Sequence, residues 1–557
     1  MSDFRSFWVS LHREQNAFVP IPKYDALPDN SKKSTEICII GGGIFGLSCA
    51  LRLQQQGHQC VLIEGRRIGS ATTGNSTGKL CLDHNKGKYQ SLICNFGVKH
   101  AKTYCDMNIE GMRFVRECLS KYEMECDYEQ KDNFTFAFTE EEAEQLKREV
   151  EALHKIGVRG VAFLEPDALP HLKFLNYGAM RVKRQAQMNP YGFCVKMAEA
   201  FVKEGGVIHE KTRAVNVSKG AAPHTVTLSN GAEVSASKAV IVATHLPILD
   251  RSAHWASTSP SASYGIAFPV NQKNEFHPIT EMHINSGASG PAATKSFRVA
   301  GGGKYMVVVG SSHAMGEESE ILDMDPYDNL ESFAKKYLNV DTDSEPVGKW
   351  FAFDYAPSDD LGPYIGYLHL GTKSLFTATG FNKWGLSFGA GASEYVCQLI
   401  EKGPDDKSES PYDIFDARRF DVKHSKAWCF GLNVARHFIG DRIADRFGEH
   451  KHVDELPPGQ GGLYKYENVT RACYRDQSGK LTVTDLSCQH LKCHVRYNRH
   501  TRSLCCPCHG SHYNMKGEVL DAPTVKNLRT ILCDIEDAIP CASGIELDIE
   551  REEETDQ

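Results

Sequence analysis

The stretch from Ile37 to Glu64 constrains the fold of this chain more tightly than any other. Ile37-Cys38-Ile39-Ile40 is a buried-strand run, followed at once by Gly41-Gly42-Gly43-Ile44-Phe45-Gly46 and a helical pattern through Gln56. Gly57 stops the helix, and Gln59 to Ile63 is the next strand, ending in Glu64. This is a complete βαβ unit. Gly41 permits the tight turn, Gly43 lets backbone approach a pyrophosphate, Phe45 belongs to the same loop, and Gly46 lets helix pack on strand. Glu64 is placed to accept from a ribose hydroxyl, which favours FAD or NAD over NADP. A merely glycine-rich turn is the competing explanation, but strand, helix, second strand and terminal acid all stand where a dinucleotide needs them.

The second informative stretch lies far downstream. Cys488-x-His490 is followed after fifteen residues by Cys506-x-x-His509, two thiols and two imidazoles on two short loops. Those donors suit a [2Fe-2S] cluster with two cysteines on one iron and two histidines on the other, because neutral imidazoles remove negative charge and raise the reduction potential. A structural zinc site is the alternative, and Cys505-x-x-Cys508 would supply the pair that zinc favours. Cys-x-His together with Cys506-Pro507-Cys508-His509-Gly510-Ser511 resembles the Rieske family, in the form that carries an extra cysteine pair. The resemblance implies metal ligation by Cys488, His490, Cys506 and His509, with Cys493 and Cys508 placed for a disulfide between the loops. Ser511 and Tyr513 follow closely enough to donate hydrogen bonds to cluster or cysteine sulfur, raising the potential further.

After Glu64 the chain reads GRRIGSATTGNSTGKL, a Gly/Ser/Thr-rich loop. It resembles the segment that, in FAD-dependent enzymes of the D-amino-acid and glycine oxidase family, runs along the cofactor. That resemblance extends to about residue 420. It implies FAD contacts at Gly65, Thr72, Thr73, Thr77, Gly78 and Lys79, and at Ala214, where the family touches adenine. Leu375 to Gly380 forms a strand that leads through Phe381-Asn382-Lys383-Trp384-Gly385-Leu386 into a helix ended by Gly403-Pro404. A helix start presents backbone N–H groups and a positive dipole, and the family puts the flavin's pyrimidine end there, so Gly380, Lys383, Trp384, Gly385 and Leu386 are expected at the flavin. Lys383 is also the one candidate for catalysis, by binding a substrate carboxylate or stabilising reduced flavin; an exposed loop lysine is the alternative. No base follows from spacing, since His245, Tyr264, His313 and Asp354 serve structural roles equally often.

The expected fold class is α/β plus β. A Rossmann-type FAD-binding part (34–100, 185–250, 350–405) is interleaved with an antiparallel-sheet substrate part (101–184, 251–349), so that 34–420 forms one oxidoreductase unit. Residues 1–33 are expected as a surface arm, 421–456 as a linker and 457–557 as a small all-β Rieske domain with a solvated acidic tail. Within the large unit, Thr139 and Glu142 suggest a capping box, and Gly301-Gly302-Gly303 precedes a strand, which makes it a hairpin turn and leaves no second nucleotide loop. The net charge of −8 argues against nucleic acid or anionic membranes as partners. No apolar run is long enough to span a bilayer, and nineteen scattered cysteines suit a reducing compartment, the cytoplasm, with the mitochondrion as alternative.

Both modules together resemble fusion oxidoreductases that remove two electrons and a proton from a C–N bond of an amine or amino acid. The resemblance implies electron flow from FAD through the cluster to an acceptor the sequence does not name. An oxygen-using oxidase with a regulatory cluster, and a non-catalytic redox sensor or electron carrier, are the alternatives.

Overall fold

A computed structural model describes residues 6–16, 20–84, 87–168, 177–249, 253–271, 282–285, 295–315, 324–357, 362–403, 408–419 and 450–533. The expected linker lies mostly outside these residues, as does the acidic tail.

The glycine-rich unit forms as its sequence dictates. Strand Lys32–Ile40 runs into helix Ile44–Gln55 and pairs in parallel with Cys60–Ile63. Gly41 turns at φ +117°, and a Cβ on Gly46 would lie 2.0 Å from the Gly41 carbonyl oxygen, so the helix can cross the strand only with glycine there. Strand Glu233–Val242 sits between Lys32–Ile40 and Leu375–Thr379, parallel to both, and its buried Ala239-Val240-Ile241-Val242 run suits that central place in the sheet. Val207–His209 extends the sheet beside Cys60–Ile63, whereas Ala214–Val217 pairs with His224–Leu228 instead of with its sequence neighbour.

The second large sheet runs in the order Gly348–Pro357, Thr258–Pro269, Tyr305–Ala314, Lys295–Ala300, Met282–Asn285, Glu129–Phe136, Ala179–Gln187 and Lys79–Leu80. It is antiparallel except where Met282–Asn285 meets Glu129–Phe136. Gly301 to Lys304 closes a hairpin between antiparallel strands, as expected. At helix Glu140–Lys155, Thr139 accepts from Glu142 N as a cap, but the Glu142 carboxylate reaches Phe138 N, one residue short of the reciprocal bond.

Within 1–33, the described helix is not part of a surface arm. Helix Phe7–Gln15 buries Phe7, Trp8 and Leu11, with Trp8 fully enclosed against Trp350 and donating to the Ser76 carbonyl at 2.7 Å. Arg298 lies over the Trp8 ring and donates to the carbonyls of Thr77 and Met188. The helix thus backs the loop that precedes Lys79. The C-terminal part is two four-stranded antiparallel sheets, one of them Arg496–Asn498, Ser503–Cys505, His512–Tyr513 and Val519–Asp521. Val453 and Leu456, inside the expected linker, bury against Cys473, Leu481 and Val483, so the packing of this part begins before Pro457.

Candidate functional site

The strand-to-helix turn at Gly41 and the helix start at Gly385 open onto one cavity whose free space, mouth included, is about 1400 Å³. Fourteen of the residues expected at FAD line it: Gly41, Gly43, Phe45, Glu64, Gly65, Thr72, Thr73, Thr77, Lys79, Ala214, Lys383, Trp384, Gly385 and Leu386. Gly46, Gly78 and Gly380 do not. Gly46 faces the strand beneath it, Gly78 is held at φ +74° against the Met188 carbonyl, and Gly380 makes the turn that leaves the strand, at φ +76°.

Charge in the cavity is organised by burial. Glu64 accepts from Gly42 N at 2.8 Å and from Arg66 N at 2.7 Å, which fixes its carboxylate at the end of the second strand. Burial pushes the Lys79 ammonium down to about 7. Lys383 is exposed and faces the cavity, and the protein crowded around it pulls its pKa below the ordinary lysine range by desolvation while Asp354 opposes the shift. Asn382 and Lys383 both take left-handed backbone, φ +50° and +72°, which bends the loop toward Asp354, the acceptor for Lys383 N. Trp384 stacks on His84 with ring centroids 4.4 Å apart, and its buried Nε1 has no hydrogen-bond partner among the described residues. Neither helix start carries a side-chain cap of its own.

The four titratable residues left undecided by sequence separate into two pairs. His245 Nε2 lies 3.0 Å from Asp354 Oδ1, its Nδ1 lies 3.3 Å from Thr72 Oγ1, and both residues line the cavity. Tyr264 and His313, 3.0 Å apart, are buried in the second sheet away from it. Arg66, Arg213, Thr244 and Tyr355 also line the cavity and carried no local signal that spacing could expose.

The two Cys/His loops face each other as expected. Cys488, Cys506 and His509 are buried, and the rings of His490 and His509 stand 5.0 Å apart at 87°. Tyr513 Oη lies 3.3 Å from Cys488 Sγ and accepts from Gln489 N at 3.1 Å, which leaves its proton for the sulfur. Hydrogen bonds from Cys506 first, then Tyr513 and the His490 backbone, outweigh burial and pull the Cys488 thiol down to about 6. The sulfurs of Cys493 and Cys508, the expected cysteine pair, lie with that of Cys506 within 4.8 Å of one another.

The loops rest on the larger unit. Trp255 packs edge-on against His509 at 4.7 Å, Asn498 Nδ2 donates to Tyr264 Oη at 3.1 Å, and Tyr355 Oη donates to the Ala522 carbonyl at 3.0 Å. Tyr355 Oη is also 3.5 Å from the His509 carbonyl oxygen.

Residues 36–399 match the family model of the FAD dependent oxidoreductases (DAO), and residues 448–532 that of the Rieske [2Fe-2S] domain. The chain belongs to the DAO family of FAD-dependent oxidoreductases. This DAO oxidoreductase carries a Rieske domain at its C-terminal side, and its cofactors are accordingly FAD and a [2Fe-2S] cluster. The putative Rieske 2Fe-2S iron-sulfur protein YhfW of Bacillus subtilis (strain 168) is 28% identical over 518 residues, 92% of this chain and 96% of that protein. Gamma-glutamylputrescine oxidoreductase of Escherichia coli (strain K12) is 27% identical over 230 residues, 41% of this chain and 52% of that one. Glycine oxidase from Geobacillus kaustophilus superposes with a TM-score of 0.56 at 18% identity, covering 70% of this chain and all of that chain. Two helix starts without an N-cap side-chain bond, the first with Ile44 N on the Thr73 hydroxyl at 3.2 Å, and a Trp384 Nε1 donor with no partner among the described residues, meet in one cavity and suit a dianionic dinucleotide with a carbonyl-bearing ring. Paired thiols and imidazoles on facing buried loops suit the cluster. Among the described residues no helix is long and apolar enough to cross a membrane.

Proposed function

We propose that this protein is a dehydrogenase of an amine or amino acid that oxidises a C–N bond and delivers the electrons one at a time to a separate acceptor through its Rieske domain. FAD supplies a hydride acceptor and the cluster a one-electron relay. The chain's own residues do the rest. The helix start at Ile44 would hold the pyrophosphate and Glu64 the ribose, while Trp384 Nε1 and the Gly385 helix start would offer donors to the flavin ring. Lys383 offers its ammonium to a substrate carboxylate. The His245–Asp354 pair can hold a proton at His245 Nε2 beside that site.

The observation that carries the proposal is the seat of the Rieske loops on the cavity wall. Tyr355 lines the cavity and its hydroxyl binds the Ala522 carbonyl, close to the carbonyl of His509. A regulatory cluster or an independent carrier needs no such contact. The test is sealed anaerobic turnover with an artificial one-electron acceptor, comparing wild type with Cys488→Ser. Substrate should bleach the flavin band in both, and acceptor reduction should fall at least tenfold in the variant. Equal acceptor reduction sinks the circuit, and the absence of bleaching by any amine or amino acid sinks the substrate class.

A further inference from the structure

The cofactor cavity is not completed by the larger unit alone. Leu520, Asp521, Ala522, Thr524 and Val525, all from the Rieske part, line it opposite the glycine-rich turn. Three polar contacts fasten this segment, and each comes from a residue that itself lines the cavity. Arg66 Nη2 pairs with Asp521 Oδ1 at 2.8 Å, Arg213 Nη2 donates to the Val519 carbonyl at 2.9 Å, and Tyr355 Oη donates to the Ala522 carbonyl at 3.0 Å. Asp521 continues inward. Its Oδ2 lies 2.9 Å from His512 Nδ1, and His512 Nε2 lies 2.8 Å from Ser503 Oγ, at the start of the strand that ends at Cys505. A second cavity lies against the first, and Arg66, Thr72, Phe353, Leu520 and Asp521 line both. The Arg66–Asp521 pair is therefore a partition between the two.

We infer that the Rieske domain forms part of the FAD site, residues 520–525 being its outer wall and Asp521 the positioning residue that holds this wall closed and retains the cofactor. The inference rests on the cavity being the FAD site. Without the ion pair the partition loses its charged contact, and the polar ties of this segment given above that remain are those to the carbonyls of Val519 and Ala522. A charge-assisted pair at this distance is worth enough to change a release rate about tenfold or more.

The test uses the full-length holoprotein and follows FAD release by the rise in flavin fluorescence on dilution, with the electron-spin signal of the cluster recorded in parallel. Asp521→Asn should release FAD about tenfold faster than wild type while the cluster signal stays intact, and Tyr355→Phe should accelerate release in the same direction. Release at the wild-type rate with an intact cluster overturns the inference. If Asp521→Asn loses its iron signal, Tyr355→Phe decides by the same criterion, since it leaves every Rieske side chain in place. Arg66→Ala, Asp521→Ala and their double variant separate a latch from a direct contact of Arg66 with FAD: a latch gives a double variant no faster than the faster single, and additive effects refute it. A wild-type protein that binds no FAD refutes instead the assignment of the cavity.

Discussion

Replacing Tyr513 by phenylalanine removes one hydroxyl from a fully buried ring and leaves the ring in place. That hydroxyl accepts from Gln489 N at 3.1 Å and stands 3.3 Å from Cys488 Sγ, so its own proton is directed at the sulfur. Reduction adds negative charge that the iron and its sulfur ligands share, and a donor at the sulfur binds the reduced form more strongly than the oxidised one. A single hydrogen bond contributes about 1 kcal/mol net, and a difference of that size between redox states corresponds, at about 59 mV per tenfold for one electron, to about 43 mV. Tyr513→Phe should therefore lower the cluster's reduction potential by about 40 mV. A redox titration followed by electron-spin resonance measures this, the unchanged line shape showing that the cluster remains. A potential that stays put or rises would refute the donor role of the hydroxyl.

Other expectations follow from the same geometry. Lys383→Met should raise KM for amino acids about tenfold and leave KM for amines lacking a carboxylate unchanged; equal effects on both would remove Lys383 from carboxylate binding. Burial pushes the Glu149 carboxyl up to about 7 from 4.5, although Tyr89 N and Gln90 N favour its charged form. The folded protein then keeps a proton there that the unfolded chain releases near 4.5, so this group's stabilisation, full at low pH, is lost as pH rises through about 7. Melting temperatures of Glu149→Gln should accordingly gain on wild type between those two values, and a constant gap argues against it. Trp8→Ala should cost about 3–5 kcal/mol, read as a fall in denaturant midpoint, and a loss below about 1 kcal/mol would return the N-terminal helix to the surface.

What the sequence by itself determined is what short-range chain geometry can determine. A glycine run between an apolar strand and a helix has few other uses, and Ile37 to Glu64 folded accordingly because its turn, its helix and the pairing of its two strands are all set within one βαβ unit. The Cys/His loops were legible for the same reason, since ligands to one centre must recur at short spacing. The hairpin at Gly301 to Gly303 likewise needed only its neighbouring strands. The sequence misplaced what depends on distant partners. The segment before Lys32 reads as a polar arm, and only Trp350 and Arg298, hundreds of positions away, show that Phe7 and Trp8 have a core to enter. His245 and Asp354 are 109 residues apart, and nothing in spacing distinguishes them from Tyr264 and His313, which pair elsewhere. Arg66 and Asp521 are 455 residues apart, and their pairing follows from how the Rieske part docks on the larger unit. Hydrophobic period and ligand spacing are properties of a segment, whereas a cavity wall built from two units exists only after both have folded and their charged surfaces have met.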